Sequence, residues 1–140
     1  MTIIYPKKSE FLKKVKEQNN QLLWTTLKSD LDTPVSTYLK LCNKSTNSFL
    51  LESVQDGTYR GRYSIIGFNP DIIWKCKQGI AYKKIIKKDT GKFIKEKHSP
   101  LKSLQGLINS SKIKLPTHLP PMSAGLIGYL GYETIEQYET

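Results

Sequence analysis

The stretch that decides the fold runs from Phe49 to Pro70 and reads FLLESVQDGTYRGRYSIIGFNP. Its first six residues begin with an apolar run, which predicts a buried strand. The QDGT sequence that follows predicts a turn, in which Gly57 can adopt a positive φ without steric cost. Residues 62–68 are rich in β-favouring side chains and predict a second strand. The stretch is therefore expected to form a β-hairpin.

Another helix directly precedes this hairpin. Before that helix, the sequence predicts one helix and one strand. Ser9 is suited to cap a helix over residues 10–18. The buried stripe of that helix would contain Phe11, Leu12 and Val15. Residues 22–27 (LLWTTL) are apolar and β-favouring, so they are expected to form a strand.

The helix directly before the hairpin has the clearest start signal. Thr33 is suited to the N-cap position and Pro34 to the first helical position, where the missing N–H costs nothing. Four apolar residues spaced i, i+3, i+4 and i+7 would form its buried face, namely Val35, Tyr38, Leu39 and Cys42.

Beyond the hairpin the sequence predicts a three-stranded meander over residues 72–77, 80–86 and 92–97, with turns at 78–79 and 89–91. Ser99 and Pro100 then open a helix. Its apolar face would contain Leu101, Leu104, Leu107 and Ile108. Residues 123–133 are interpreted as a strand whose glycines let a neighbouring backbone approach closely. Because the strands form hairpins rather than βαβ units, the class is α+β, with mostly antiparallel sheets and flanking helices.

Composition narrows the classes of function. The 140 residues carry a net charge of +10, and 20 of the 22 basic residues are lysine. The lysines between 75 and 102 alternate with apolar residues, as on the solvated face of a hairpin, and no zinc-finger or RNP1 motif is present; this argues against a nucleic-acid partner. Neither a signal peptide nor a membrane span is visible, so a cytoplasmic protein is expected. Cys42 and Cys76 are expected to be free thiols packed in the interior.

Motifs for catalysis or metal binding are missing from the sequence. Gly125, Gly128 and Gly131 follow neither the dinucleotide-binding nor the phosphate-loop pattern. His98 and His118 have no acidic or cysteine partner at the spacing of metal ligands. We therefore predict no catalytic residue and no metal ligand in this chain.

The end of the predicted hairpin offers a different chemistry. The only two arginines are Arg60 and Arg62, and arginine binds carboxylates through a planar pair of donors. Glu52, Ser53 and Arg62 together could hold the ammonium and carboxylate groups of a free amino acid. The alternative is a purely structural strand end, at which Arg62 pairs with Glu52.

Three sequence blocks carry a resemblance to a known family. They are TPVSTYLKL from Thr33, LLESV from Leu50 with GRYSIIGFNP from Gly61, and GLIGYLGYE from Gly125. In this order they resemble the N-terminal region of anthranilate synthase component I, one of the chorismate-utilising enzymes. The resemblance implies an α+β fold with two antiparallel sheets packed orthogonally.

The resemblance also implies a function. The family converts chorismate and ammonia to anthranilate and pyruvate, needs Mg²⁺, and receives ammonia from a glutamine amidotransferase subunit (component II). L-Tryptophan inhibits it by binding in the N-terminal region, where the serine of the LLES motif, Ser53 here, contacts the inhibitor. The other positions that match the neighbourhood of that site are Leu51, Glu52, Arg62, Tyr63 and Ser64.

The family extends further than this sequence, and its chorismate site and metal-binding glutamates lie in a C-terminal catalytic domain. We therefore expect residues 1–140 to be a single N-terminal regulatory domain, cut before the catalytic domain, that binds no Mg²⁺ and is inactive alone. Two alternatives remain open. One is the N-terminal domain of aminodeoxychorismate synthase component I, and the other is a freestanding domain that binds amino acids or polyanions.

Overall fold

The computed structural model describes residues 3–17, 20–52, 63–86, 91–120 and 122–137. In that part of the chain the helices are α1 (Lys8–Lys16), α2 (Pro34–Cys42) and α3 (Pro100–Ser110), with a 3-10 helix at Tyr132–Gln137. The strands are β1 (Ser48–Glu52), β2 (Ser64–Phe68), β3 (Ile72–Lys77), β4 (Ile80–Ile85) and β5 (Ile94–Lys95). One sheet has the order β1-β2 and the other the order β3-β4-β5. The predicted α+β class with antiparallel sheets is confirmed.

The chain divides into two compact units. The hairpin unit consists of Lys28–Ile73 and Lys83–Phe93 and contains α2, β1 and β2. The α3 unit consists of Met1–Leu27, Trp74–Tyr82 and Ile94–Thr140 and contains α1, β5 and α3. The orthogonal packing of the two sheets stays a prediction, as does the assignment of residues 1–140 to one regulatory domain.

In the hairpin unit, α2 begins where the sequence predicts. The Thr33 hydroxyl accepts the Ser36 backbone N–H at 3.1 Å, and the Ser36 hydroxyl accepts the Thr33 backbone N–H at 2.9 Å. This reciprocal capping box satisfies two backbone donors that the helix itself leaves unpaired. The predicted apolar face is only partly covered: Cys42 is buried, whereas Val35 and Leu39 are exposed, because no described element lies over their side of the helix.

The β1–β2 pair is the hairpin predicted from residues 49–70; β1 begins at Ser48, one residue before the predicted strand, and β2 ends at Phe68 as predicted. Its antiparallel register places Ser48 opposite Phe68 and Phe49 opposite Gly67. A Cβ added at Gly67 would clash with the Phe49 ring, so the missing side chain makes room for the aromatic group across the pair. Residues 53–62, including the predicted turn at Gly57, lie outside the described residues.

The turn between β3 and β4 also follows the prediction. Gln78 and Gly79 have φ values of 52° and 70°, and two consecutive positive φ angles are characteristic of a type I′ hairpin turn. β5 is shorter than the predicted strand over residues 92–97; next to it, the Glu96 N–H donates to the Ala81 carbonyl at 2.9 Å. Residues 87–90, which contain part of the second predicted turn, lie outside the described residues.

The core of the α3 unit forms against α3. Trp74 Nε1 donates to the buried Ser103 hydroxyl at 2.9 Å, and that hydroxyl lies 3.3 Å from Glu96 Oε2. Leu107, one helical turn further on, is buried, and Ala81 of β4 is 1% exposed. The predicted helix after Ser99 is therefore confirmed, although the Ser99 side chain makes no capping hydrogen bond.

At the carboxyl end of α3, the Asn20 side chain supplies hydrogen-bond donors to backbone carbonyls. The sequence did not single out this residue. Asn20 Nδ2 donates to the Ser110 carbonyl at 2.7 Å and lies 3.3 Å from the Lys112 carbonyl. The last carbonyls of a helix have no partner within the helix. This contact joins the amino-terminal part of the α3 unit to the end of α3.

The amino-terminal predictions are partly wrong. α1 begins at Lys8 with Lys7 as N-cap, so Ser9 lies inside the helix and caps nothing. Leu12 and Val15 are exposed rather than buried, because no described element covers them. Residues 22–27 form no strand; Trp24 makes an isolated bridge to Tyr5, and the two rings stack with centroids 4.6 Å apart.

Two further expectations are corrected. The glycine-rich segment before residue 132 forms no strand, because no described strand pairs with it, and the chain then continues as a 3-10 helix. Cys42 is buried as predicted, but Cys76 is exposed near the end of β3. Among the described residues, no helix has the length and apolar character needed to cross a membrane.

Candidate functional site

The predicted site residues lie at the end of the β1–β2 pair that is furthest from α2's carboxyl-terminal loop. Leu51 and Glu52 are the last residues of β1, Ser64 is the first of β2, and Tyr63 directly precedes it. The remaining two predicted residues, Ser53 and Arg62, lie outside the described residues. Four of the six predicted positions are therefore brought to one end of one hairpin.

The register pairs Glu52 directly with Ser64. Residues opposite each other on antiparallel strands share a face of the sheet and are close neighbours. A carboxylate and a hydroxyl therefore stand side by side at the hairpin end, and both residues are exposed. A carboxylate accepts hydrogen bonds from an ammonium group, and a hydroxyl can donate to a carboxylate.

This face of the hairpin is also the one that contacts α2. Ser48 lies on the same face as Glu52, since side chains along a strand alternate in direction. The Ser48 hydroxyl is 3.0 Å from the Tyr38 hydroxyl of α2. Between Ser48 and Glu52 the face carries Leu50 opposite Ile66, both partly buried. An apolar floor thus runs from α2 to the polar hairpin end.

Leu51 belongs to the opposite face of the hairpin. It pairs with Ile65 and follows Phe49 on that face. Leu51 is 45% exposed, and Tyr63, which precedes β2, is 48% exposed. Side chains of Leu51 and Glu52 therefore point to different faces, and the described residues do not gather all the predicted positions around one cavity.

A concave site that was not predicted lies in the α3 unit. Its cavity of about 460 Å³ is lined by the end of α3, the segment after it and residues 124–126. Leu104, Ile108, Ile113, Leu115 and Leu126 make the lining largely apolar, with Ser111 and Lys112 at its polar part. The lining holds no carboxylate that could accept an ammonium group, so it suits an apolar side chain better than a free amino acid.

The Mg²⁺ that the resemblance implies has no fitting site in the described part of the chain. No group of three His, Cys, Asp or Glu side chains there is arranged to hold a metal ion. His118 instead packs against Trp24, with ring centroids 4.8 Å apart.

Comparison with curated proteins finds several relatives, and the three described here have the same protein name. The chain is 45% identical over 125 residues to "Anthranilate synthase component 1" of Cereibacter sphaeroides, a match that covers 89% of the chain and 25% of that protein. It is 31% identical over 137 residues to the protein of that name from Acetivibrio thermocellus, covering 98% and 27%. For Thermus thermophilus the values are 35% over 114 residues, covering 81% and 23%.

No family model matches the chain, and no solved structure matches it. The chain spans about a quarter of the length of the curated relatives described above. The resemblance found in three sequence blocks extends over most of the chain in these alignments. The chain is homologous to the N-terminal region of anthranilate synthase component 1.

Proposed function

We propose that this chain is the tryptophan-sensing part of anthranilate synthase component 1, in the pathway of tryptophan biosynthesis. The complete enzyme would convert chorismate and ammonia to anthranilate and pyruvate, with ammonia supplied by the amidotransferase subunit. Chorismate and Mg²⁺ would bind to the part of the enzyme that this chain does not match. Homology over most of the chain supports the family, and the end of the β1–β2 hairpin supports the sensing role.

The observation that carries the sensing role is the pairing of Glu52 with Ser64 at the exposed hairpin end. Glu52 would accept the ammonium group of L-tryptophan. Ser53 and Ser64 would bind polar groups of the inhibitor, and Arg62 its carboxylate, since arginine is suited to paired hydrogen bonds with that group. The partly buried Leu50 and Ile66, on the same face as Glu52 and Ser64, offer apolar surface for the indole ring; Leu51, on the other face, and Tyr63 are half-exposed and would contact the inhibitor only at the end of the strands.

Inhibition also requires that occupancy of this site changes another part of the enzyme. The two sites would be linked by a coupling free energy, typically about 1–3 kcal/mol. Within the hairpin unit, the contact between Ser48 and Tyr38 connects β1 to α2. A shift at the hairpin end is therefore expected to reach α2.

The test uses a chimera in which all 140 residues replace the matching quarter of the Cereibacter sphaeroides relative. Anthranilate formation is measured by its fluorescence while L-tryptophan is titrated. We expect Glu52→Gln and Ser53→Ala each to raise the half-inhibiting tryptophan concentration about tenfold, which is about 1.4 kcal/mol of binding free energy. Glu10→Gln, at an exposed glutamate of α1, is the matched control and should leave that concentration unchanged.

Two results would overturn the proposal. A chimera that makes anthranilate but is insensitive to tryptophan would remove the sensing role. If the parent chimera, Glu52→Gln and Ser53→Ala are equally sensitive to tryptophan, the hairpin end is not the tryptophan site. The chimera cannot separate the two branches, because the relative supplies its chorismate site; aminodeoxychorismate as the product of the natural full-length protein would assign this chain to the folate branch instead.

A further inference from the structure

Residues 126–131, with the sequence LIGYLG, form an exposed apolar segment in the α3 unit; we name it the glycine segment. Tyr129 is 95% exposed, and Leu130 and Leu126 are exposed as well. Tyr132, which follows directly, is 86% exposed. The chain has no lysine after Lys114, although it has 20 in all. Exposed strand edges in native proteins are usually protected by lysine or proline, and the glycine segment has neither.

Most of the backbone of this segment is also unpaired among the described residues, since only its last residue is bonded there: the Gly131 carbonyl accepts the Thr134 N–H at 3.0 Å. Residues 126–131 belong to no helix or strand. No backbone–backbone hydrogen bond within the described residues involves residues 124–130. Backbone N–H and C=O groups need partners once they are removed from water. A row of such groups beside exposed apolar side chains is suited to pair with an added strand.

Gly128 gives an independent indication. Its φ is not in the positive region, so its conformation does not require glycine. A Cβ added there would meet no atom within 4 Å, so no described neighbour requires glycine either. Gly67, within the similar sequence IIGF, is explained by the Phe49 ring that lies over it. The neighbour that would explain Gly128 is missing from the described residues.

The length of the relatives indicates what that neighbour is. Three quarters of the Cereibacter sphaeroides relative lies outside the match, so a long stretch of polypeptide is available there as a partner. We propose that the glycine segment is a docking strand, which pairs along its backbone with a strand of the polypeptide equivalent to those three quarters. The cavity beside α3 adjoins the segment at Leu126 and would accept an apolar side chain of the docked part.

This inference rests on the family part of the proposed function and does not depend on tryptophan binding. The test measures amide hydrogen exchange of residues 126–131 in the 140-residue chain and in the chimera described above. In the 140-residue chain these amides should exchange as fast as in an unstructured peptide. In the chimera we expect exchange to slow by about 100-fold or more, because paired strands open rarely.

A matched pair of substitutions tests whether the protection depends on the glycine segment itself or is lost with a lysine at any exposed position. Tyr129→Lys and Leu31→Lys both replace a residue that is nearly or fully exposed in the 140-residue chain, since Leu31 is 100% exposed. Neither should change the thermal unfolding of the 140-residue chain. In the chimera, Tyr129→Lys should reduce the protection of residues 126–131 at least about tenfold, whereas Leu31→Lys should leave it unchanged.

If the chimera is insoluble, the 140-residue chain is co-expressed with the remaining three quarters as a separate tagged chain. Co-purification should then be lost with Leu130→Pro, which removes one backbone donor, and kept with Leu31→Lys. Failure of the unsubstituted pair to co-purify would contradict docking. Protection of the segment in the 140-residue chain alone that grows with concentration would mean that a second copy pairs there, and would also overturn the proposal.

The two proposals can fail separately. A chimera that is inhibited by tryptophan while residues 126–131 stay unprotected would overturn only the docking strand. A chimera with protected amides but no response to tryptophan would overturn only the sensing role.

Discussion

Two segments of this chain have similar sequences and different structures. Residues 65–68 read IIGF and form most of β2, whereas residues 126–129 read LIGY and belong to no strand. In the first segment an aromatic ring across the pair lies over the glycine, whereas in the second no atom of the described residues lies within 4 Å of a Cβ added at the glycine. The pattern therefore indicates the capacity to form a strand, and a partner strand decides whether the strand forms.

The partner of the first segment is close in sequence. β1 ends at Glu52 and β2 begins at Ser64, so the two strands are close in sequence and bringing them together costs little entropy. The glycine segment has no such neighbour, because α3 and a proline-containing stretch precede it and a 3-10 helix follows. Its partner would have to come from elsewhere.

The largest expected effect is that of a side chain added at Gly67, and it tests the difference between the two segments. Gly67→Val would force the Phe49 ring away from its position across β1 and β2. Overpacking of this kind typically costs about 1–3 kcal/mol, and hydrogen exchange at the amides of β1 and β2 would report the loss.

The matched control is Gly128→Val in the same 140-residue chain. It should change the free energy of unfolding by less than about 0.5 kcal/mol, as is usual for surface substitutions without a specific contact. If both glycines prove equally sensitive, Gly128 has a neighbour within this chain, and the comparison between the two segments fails.

A smaller effect sharpens the explanation of Gly67. If the Phe49 ring is what excludes a side chain there, Gly67→Ala should be less damaging once Phe49 is replaced by Leu. A double-mutant cycle of Phe49→Leu and Gly67→Ala should give a coupling of about 1 kcal/mol, within the usual range for residues in contact. Additive effects would mean that backbone conformation, and not the ring, requires the glycine.

The third effect concerns the helix that supports the hairpin. Thr33→Ala removes half of the capping box and should destabilise the hairpin unit by about 1 kcal/mol. Thr33→Ser keeps the hydroxyl and serves as the control. Urea unfolding followed by circular dichroism measures both, and an equal loss in the two variants would show that the hydroxyl does not carry the effect.

Elements with a local signal could be predicted from the sequence. Thr33-Pro34 marked the start of α2, Gln78-Gly79 marked the turn between β3 and β4, and Ser99-Pro100 marked the start of α3. Strands without a local partner could not be predicted in this way. Residues 22–27 and the glycine segment have strand composition, but a strand needs a neighbour that composition does not name.

The candidate site shows the same limit. A hairpin predicted from residues 49–70 already places Glu52 near Ser64, and the register confirms that they are paired. The sequence grouped Leu51 with Glu52, although strand alternation puts their side chains on opposite faces. The cavity beside α3 was missed because its lining comes from separate segments that no motif connects.

The smallest expected effect depends on pH, at the start of α2. The Lys40 ammonium, 2.6 Å from the Asp32 carboxylate, holds the pKa of that carboxyl below its ordinary value near 3.8, and hydrogen bonds from Ser29 and Ser36 act in the same direction. A lowered pKa in the folded state means that the stabilisation is fully present above the ordinary value. It is lost as the pH falls through the lower, folded value.

Asp32→Asn should therefore lower Tm slightly at about pH 6, and the difference from the parent should shrink as the pH is lowered towards about 2, because the Asp32 carboxyl becomes protonated. About 1 M salt should shrink the difference at the higher pH, because the pair is exposed to solvent. Glu10→Gln, which removes the longer 3.2 Å pair with Lys14 in α1, is the control and should have a smaller effect at about pH 6. A Tm difference for Asp32→Asn that persists at about pH 2 would mean that the side chain acts through its neutral hydrogen bonds, because charge pairing with Lys40 requires an ionised carboxylate.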